Sequence, residues 1–378
     1  MTLSDFDDIR PYSEGEMKEA FEGLLADRQF DRILSGFLPL PKGMRNGILR
    51  LLFIGVKTPQ DFQIRFMKPL IYYLFRKATS GYSYFFPESL DRRGHFTFMS
   101  NHRDIVLDSA FLDMLMLKDG FAKTVEIAIG NNLLIYPWIK RFVRMNKSFV
   151  VNRGLTPKEM LRSSVHMSQY MHFAINEKGE NIWIAQREGR AKDSDDRTQE
   201  SVLKMLNMGG PTAGKTTAEI IANLRHMNIV PLAISYEYDP CDYLKAKEFQ
   251  CKRDIPGWKK AKQDDLVNMK IGIWGQKGHV HYQAAECING WLDTLDAEKI
   301  EKADIFRMVA EHIDHEIHKN YRIYPINRDA LEGKDNAYIE SRVKMVDVEN
   351  PDATFLREKI TAMYANPLRN YERATAEK

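Results

Sequence analysis

At 378 residues, with 44% hydrophobic and 28% charged residues, the chain has the composition of a large globular core with accessory regions, not of a disordered or fibrous protein. A formal net charge of +3 is too weak to mark a nucleic-acid partner. Cys241, Cys251 and Cys287 are scattered, with neither metal-ligand spacing nor an even-numbered disulfide framework.

The chain begins acidic, from Met1 to Asp8, without a signal-peptide pattern, and residues 1–85 read as a mainly helical N-terminal region broken near Pro39, Pro41 and Pro59. Its charge is uneven. Between Pro41 and Lys77 stand eight basic residues (Lys42, Arg45, Arg50, Lys57, Arg65, Lys68, Arg76 and Lys77) against one acidic residue, Asp61. Apolar runs at 51–54 and 70–75 lie between those charges, a pattern that suits an anionic membrane surface. It equally suits helices packing their apolar sides on the rest of the protein. No uncharged run approaches the ~20 residues that a spanning helix needs. The expected location is therefore peripheral, on the cytoplasmic face of a membrane, with no transmembrane span.

From 86 to 290 short β-rich runs alternate with helix-length segments. The runs fall at 95–99, 125–129, 148–151, 181–185, 229–235 and 279–282. This alternation predicts an α/β domain whose central sheet is mixed but largely parallel and flanked by helices. Residues 291–378 turn helical and highly charged again.

In such sheets the working residues gather beyond the carboxyl ends of the strands. The first strand runs into Ser100-Asn101-His102-Arg103-Asp104, with Asp108 six positions after the histidine. A histidine in a strand-to-helix turn, oriented by a carboxylate, can act as a general base, its ordinary pKa near 6.5 suiting proton abstraction near neutrality, or it can be purely structural. Asp104 is a rival orienter, or the cap of the next helix. The strand at 148–151 leads to Arg153, and the strand at 181–185 leads to Gln186-Arg187-Glu188-Gly189-Arg190-Ala191-Lys192. Arginines at a sheet's carboxyl edge are placed for bidentate phosphate recognition.

Taken in order, four stretches resemble the blocks of the glycerol-phosphate acyltransferase superfamily: Asn101-His102 to Asp108, Lys147 to Arg153, Arg187-Glu188-Gly189-Arg190, and Val230 to Tyr236. The segments Gly130–Trp138 and Tyr236–Glu248 are similar to that superfamily too, the second to its sn-1 glycerol-3-phosphate branch. The resemblance covers roughly residues 85–250. It implies that His102 is the base, with Asp108 behind it, and that Arg153, Arg187, Glu188, Gly189, Arg190 and Lys192 hold the acceptor. It also implies acyl transfer from acyl-CoA or acyl carrier protein, as co-substrate, to glycerol 3-phosphate or a lysolipid, with no metal or other cofactor. Two departures bear on the acceptor. The family's aspartate would fall at Leu107, one residue before Asp108, and Gln186-Arg187 stand where the family has Phe-Pro. They leave open a non-catalytic, lipid-binding descendant.

Two further patterns point elsewhere. Gly209-Gly210-Pro211-Thr212-Ala213-Gly214-Lys215-Thr216 matches the P-loop pattern, but it follows a stretch with helical spacing, where that motif needs a strand. A loop between two helices is the expected structure there. His312, His315 and His318 recur every third residue on what reads as a charged surface helix, and His279 and His281 share one face of the last strand.

Overall fold

The computed structural model describes residues 1–376. Seven strands form one sheet: β1 (Gly81–Phe85), β2 (Thr97–Ser100), β3 (Val125–Gly130), β4 (Ser148–Val151), β5 (Asn181–Ala185), β6 (Ile229–Tyr236) and β7 (His279–Ala284). Their spatial order is β1-β7-β6-β2-β5-β3-β4. The pair β6–β7 is antiparallel and every other pair is parallel. The architecture is thus the expected α/β arrangement, a mostly parallel mixed sheet flanked by helices. Strand β1 is an addition: it lies in the segment expected to be helical up to residue 85. The alternation of Tyr82 and Tyr84 could have marked it as a strand.

Burial explains the strand sequences. The central strands β2, β5 and β6 are covered on both faces, so they read as continuous apolar runs. Strand β7, beside the edge strand β1, buries every second residue, and its sequence alternates accordingly. Successive side chains divide between two cores. Met99, Ile182, Ile184 and Ala233 pack with Tyr170, Met171, Leu203, Ile313 and Ile317 on one face. Phe98, Trp183, Val230, Leu232 and Ile234 pack with Phe75, Phe111 and Leu115 on the other. Each such side chain contributes on the order of 1.5–3 kcal/mol when fully buried.

The helix Leu107–Lys118 lies on the second face and is buried along nearly its whole length. It therefore carries two buried carboxylates, Asp108 and Asp113, that need internal partners. Asp113 accepts from the Val125 amide (2.8 Å) and Gln63 Nε2 (2.9 Å), and burial pushes its pKa up to about 7. Gln63 opens a π-helical turn, Gln63–Met67, that runs into Lys68-Pro69. The proline has no N–H to continue the α-helical ladder, and the wider turn accommodates the break.

The C-terminal helices are not a detached appendage. Helix Ile305–Lys319 packs on the first face of the sheet, and Ala353–Ala376 packs against it and against Asp242–Asp254. Among the described residues, no helix is long and apolar enough to cross a membrane.

Candidate active site

Because β2, β3, β4, β5 and β6 are mutually parallel, the loops after Ser100, Gly130, Val151, Ala185 and Tyr236 leave along one sheet edge. The loop after β2 is pinned first. The Asn101 amide group makes a paired clamp on the β6 backbone, accepting from the Ile234 N–H (2.8 Å) and donating to the Ile234 carbonyl (2.9 Å). That fixes where the next residue, His102, leaves the sheet.

His102 Nδ1 lies 2.8 Å from Asp108 Oδ2. Asp108 is fully buried and is held by three further donors. The amides of Arg103 (2.7 Å) and Asp104 (3.0 Å) donate to Oδ2, and the Tyr236 hydroxyl (2.8 Å) donates to Oδ1. Tyr282 adds a bond to the Asp108 backbone carbonyl at 3.0 Å. A carboxylate held by donors on both oxygens acts as an acceptor, so the imidazole Nδ1 carries the proton and Nε2 keeps its lone pair. The edge of Trp183 meets the ring, with centroids 5.5 Å apart, and the indole is itself tied to Ser100 Oγ at 3.0 Å. His102 is thus oriented from two sides, with its basic nitrogen available.

Asp104 has a different task. Its Oδ1 accepts from the amides of Val106 (2.9 Å) and Leu107 (2.8 Å), which caps the helix that carries Asp108. Burial raises the Asp104 pKa, and the nearby charge of Lys277 opposes that shift. Lys277 is itself fully buried and donates to the Gly272 and Gly275 carbonyls. The helix Lys262–Trp274 approaches so closely that a Cβ at Gly272 would sit 2.3 Å from Asp104 Oδ2.

Of the residues expected to hold the acceptor, Arg153 and Glu188 face one another, with Nε and Oε1 3.6 Å apart. They extend from the loops after β4 and β5, at an exposed position of the edge. The Arg153 amide is fixed by Asn131 Oδ1 (3.1 Å), and the Glu188 amide by Gln199 Oε1 (2.8 Å). Gly189 adopts φ +70°, the left-handed conformation that favours glycine, and so turns the chain away after Glu188. Arg187 is half-buried, with its Nε unpaired. The remaining cations are turned inward. Arg190 donates to Asn268 Oδ1 (2.9 Å), and Lys192 pairs with Glu248. These two brace the loop against helices Lys262–Trp274 and Asp242–Asp254, and Arg190 also feels the charges of Asp239 and Asp104.

The same loop is anchored at its far end. Arg103 pairs with Asp196 (2.7 Å), whose other partners are the Tyr321 hydroxyl (2.6 Å) and, through its backbone carbonyl, His318 Nε2 (2.8 Å). Thr198 binds Asp314 through both its amide and its hydroxyl, each at 2.7 Å. This network alters the reading of the His312–His318 helix. His318 is buried, and His312 stacks on Trp291 with ring centroids 3.9 Å apart. Burial lowers both imidazole pKa values to about 4, so they serve the packing as neutral rings. Among the described residues no cluster of His, Cys, Asp or Glu is arranged to hold a metal ion.

The P-loop-like segment is, as expected, a connection between two helices, Glu200–Met208 and Thr217–Arg225. Five of its amides already have partners: Gly209 donates to Ser168 Oγ, Thr212 to Asn223, Gly214 to Thr212 Oγ1, and Lys215 and Thr216 both to Glu219. A helix, not a strand, precedes it, so the strand-to-helix setting of a P-loop is missing here.

Sequence reasoning missed Tyr236, Asn101, Trp183 and Tyr282 as parts of the site. Tyr236 had a visible signal. It follows Val230, Leu232 and Ile234 at period two, so it points to the face of the sheet that carries Asp108.

No family model matches the chain, and no curated protein matches it in sequence. Among solved structures, the 1-acyl-sn-glycerophosphate (LPA) acyltransferase PlsC of Thermotoga maritima is similar over 78% of this chain and 87% of its own, with 13% identity and a TM-score of 0.36. At that identity and score the likeness carries no weight for the activity.

Proposed function

We propose that the chain is an O-acyltransferase that moves a fatty acyl group from a thioester, acyl-CoA or acyl carrier protein, to the hydroxyl of a phosphate-bearing acceptor. The observation that carries this reading is the His102–Asp108 pair at 2.8 Å, held at the carboxyl edge of the sheet with Nε2 left basic. Nε2 takes the proton of the acceptor hydroxyl as its oxygen attacks the thioester carbonyl. The tetrahedral intermediate collapses with loss of the thiolate, a good leaving group, which recovers the proton from the imidazolium. Asp108 stabilises that imidazolium while it lasts. Arg153 is the cation set to meet the acceptor phosphate, with Glu188 ordering it or holding an acceptor hydroxyl. Glycerol 3-phosphate is the proposed acceptor, with lysophosphatidate as the alternative.

The test is thiol release from palmitoyl-CoA by the purified protein in detergent, with each acceptor in turn. Release that depends on glycerol 3-phosphate is expected. Release that needs no acceptor points to hydrolysis instead. No release with either acceptor, from CoA or carrier-protein thioesters, sinks the reading in favour of a non-catalytic lipid-binding protein.

The N-terminal helices are proposed to rest on an anionic membrane surface. Leu51 and Ile54 are 69% and 67% exposed, and Met44, Leu52, Tyr72 and Tyr73 are also exposed. Lys57, Lys68, Arg76 and Lys77 stand exposed among them, whereas Lys42 and Arg45 are engaged by Asp31 and Arg50 by Glu22. Binding to vesicles containing phosphatidylserine is expected to weaken markedly in a Leu51→Asp/Ile54→Asp variant, read by co-sedimentation. Equal sedimentation of the two proteins would remove this face from the proposal.

A further inference from the structure

A second, separate constellation lies at the other end of the sheet. Ser83 on β1 and His281 on β7 are register partners, and Ser83 Oγ lies 2.7 Å from His281 Nδ1. His279, His281 and Gln283 share the half-buried face of β7, while Val280 and Tyr282 point into the core. The pair therefore sits on the face opposite helix Leu107–Lys118, with β7 and β6 between β1 and the strand that leads to His102.

The hydrogen-bond chain behind this pair has a direction. Asn320 Nδ2 donates to the Glu316 carbonyl (2.8 Å), which leaves Asn320 Oδ1 to accept from Gln283 Nε2 (2.6 Å). Gln283 Oε1 is then the atom 3.1 Å from His281 Nε2, and an amide oxygen can only accept. The His281 proton is thereby placed on Nε2 and the lone pair on Nδ1, so the Ser83 hydroxyl is the donor in the 2.7 Å contact. Arg322 Nη1 donates to the same Ser83 oxygen at 3.2 Å. Burial and the Arg322 charge both lower the His281 pKa, which keeps the imidazole neutral and able to accept a proton. A hydroxyl with its proton drawn to an oriented base and its oxygen facing a guanidinium is an activated nucleophile.

We propose that Ser83 is a second nucleophilic site, with His281 as its base, Gln283 as the residue that orients the base, and Arg322 as the cation for the developing oxyanion. Its substrate class is an activated acyl ester or thioester. Ser83 Oγ attacks the carbonyl carbon, and its proton passes to His281 Nδ1. The bond to the leaving oxygen or sulfur breaks, and that group takes the proton from Nδ1, leaving an acyl ester on Ser83. A water molecule, deprotonated in turn by His281, releases the acid and restores the hydroxyl. This inference does not rest on the His102 reading.

A fluorophosphonate probe tests it, because a serine activated in this way displaces fluoride and keeps the phosphonyl adduct. The full-length protein is treated with the probe and the adduct is located by peptide mass spectrometry. An adduct on Ser83 is expected in the parent protein and in His102→Ala, and none at that position in Ser83→Ala. Labelling should slow about tenfold or more in His281→Ala, and also in Gln283→Leu, which keeps the imidazole but loses its orienting oxygen. The Gln283 variant decides the matter if the His281 variant does not fold. Absence of any Ser83 adduct in the parent protein, or equal labelling rates in the folded variants, overturns the proposal.

Discussion

His102→Ala is expected to lower acceptor-dependent thiol release by about 10²–10⁴-fold, the range that a positioned general base supplies. The prediction follows from what the substitution removes and what it leaves. It removes the basic nitrogen at the sheet edge. The Asn101 clamp on β6, the Asp104 cap and the bonds from the Arg103 and Asp104 amides to Asp108 all remain. The fold should therefore survive, and circular dichroism with a thermal melt would show it. Asp108 loses one of its four donors, and the Tyr236 hydroxyl still satisfies Oδ1. KM for the acceptor should change little, because Arg153 and Glu188 lie on other loops. A variant with parental kcat would take the base role away from His102.

The sequence carried the parts of this molecule that are fixed locally. The six β-rich runs became six of the seven strands: β2, β5 and β6 are buried on both faces and so read as apolar runs, while β7 is half-buried and reads as an alternation. His102 and Asp108 were legible because both fall within one turn and the first turn of the helix that follows it. What escaped depends on long-range closure. Tyr236 reaches Asp108 from 128 positions away in sequence, and nothing near Asp108 announces it. Arg190 and Lys192 carry the charge expected of acceptor ligands, yet Asn268 and Glu248 face them from distant helices. Spacing along the chain does not show which partners a cation finds inside the fold. Strand β1 escaped for a related reason. Its place in the sheet depends on a partner, β7, nearly two hundred residues later.

Asp108→Asn and Asp104→Asn should separate the two carboxylates that share this loop. At position 108 the amide oxygen must take the Oδ2 site, where three donors converge, which leaves the amide nitrogen facing the Tyr236 hydroxyl. A hydroxyl can accept as readily as donate, so the loop and the histidine tautomer can both be kept. What is lost is the negative charge behind the imidazolium. Activity should fall by roughly 10²-fold or more, with only a modest loss of stability. At position 104 the amide oxygen still accepts from Val106 and Leu107 and preserves the cap, but the carboxylate charge near the buried Lys277 disappears. Leaving a buried cation short of its counter-charge costs on the order of 1–3 kcal/mol, so this variant should melt earlier. Its kcat should stay within about tenfold of the parent, because Asp108 and its contact with His102 are unchanged. Measuring kcat and Tm for both proteins therefore yields a crossed pattern, with the larger kinetic loss at 108 and the larger thermal loss at 104. The reverse pattern would make Asp104 the residue that orients the base and leave Asp108 as structural support for the turn.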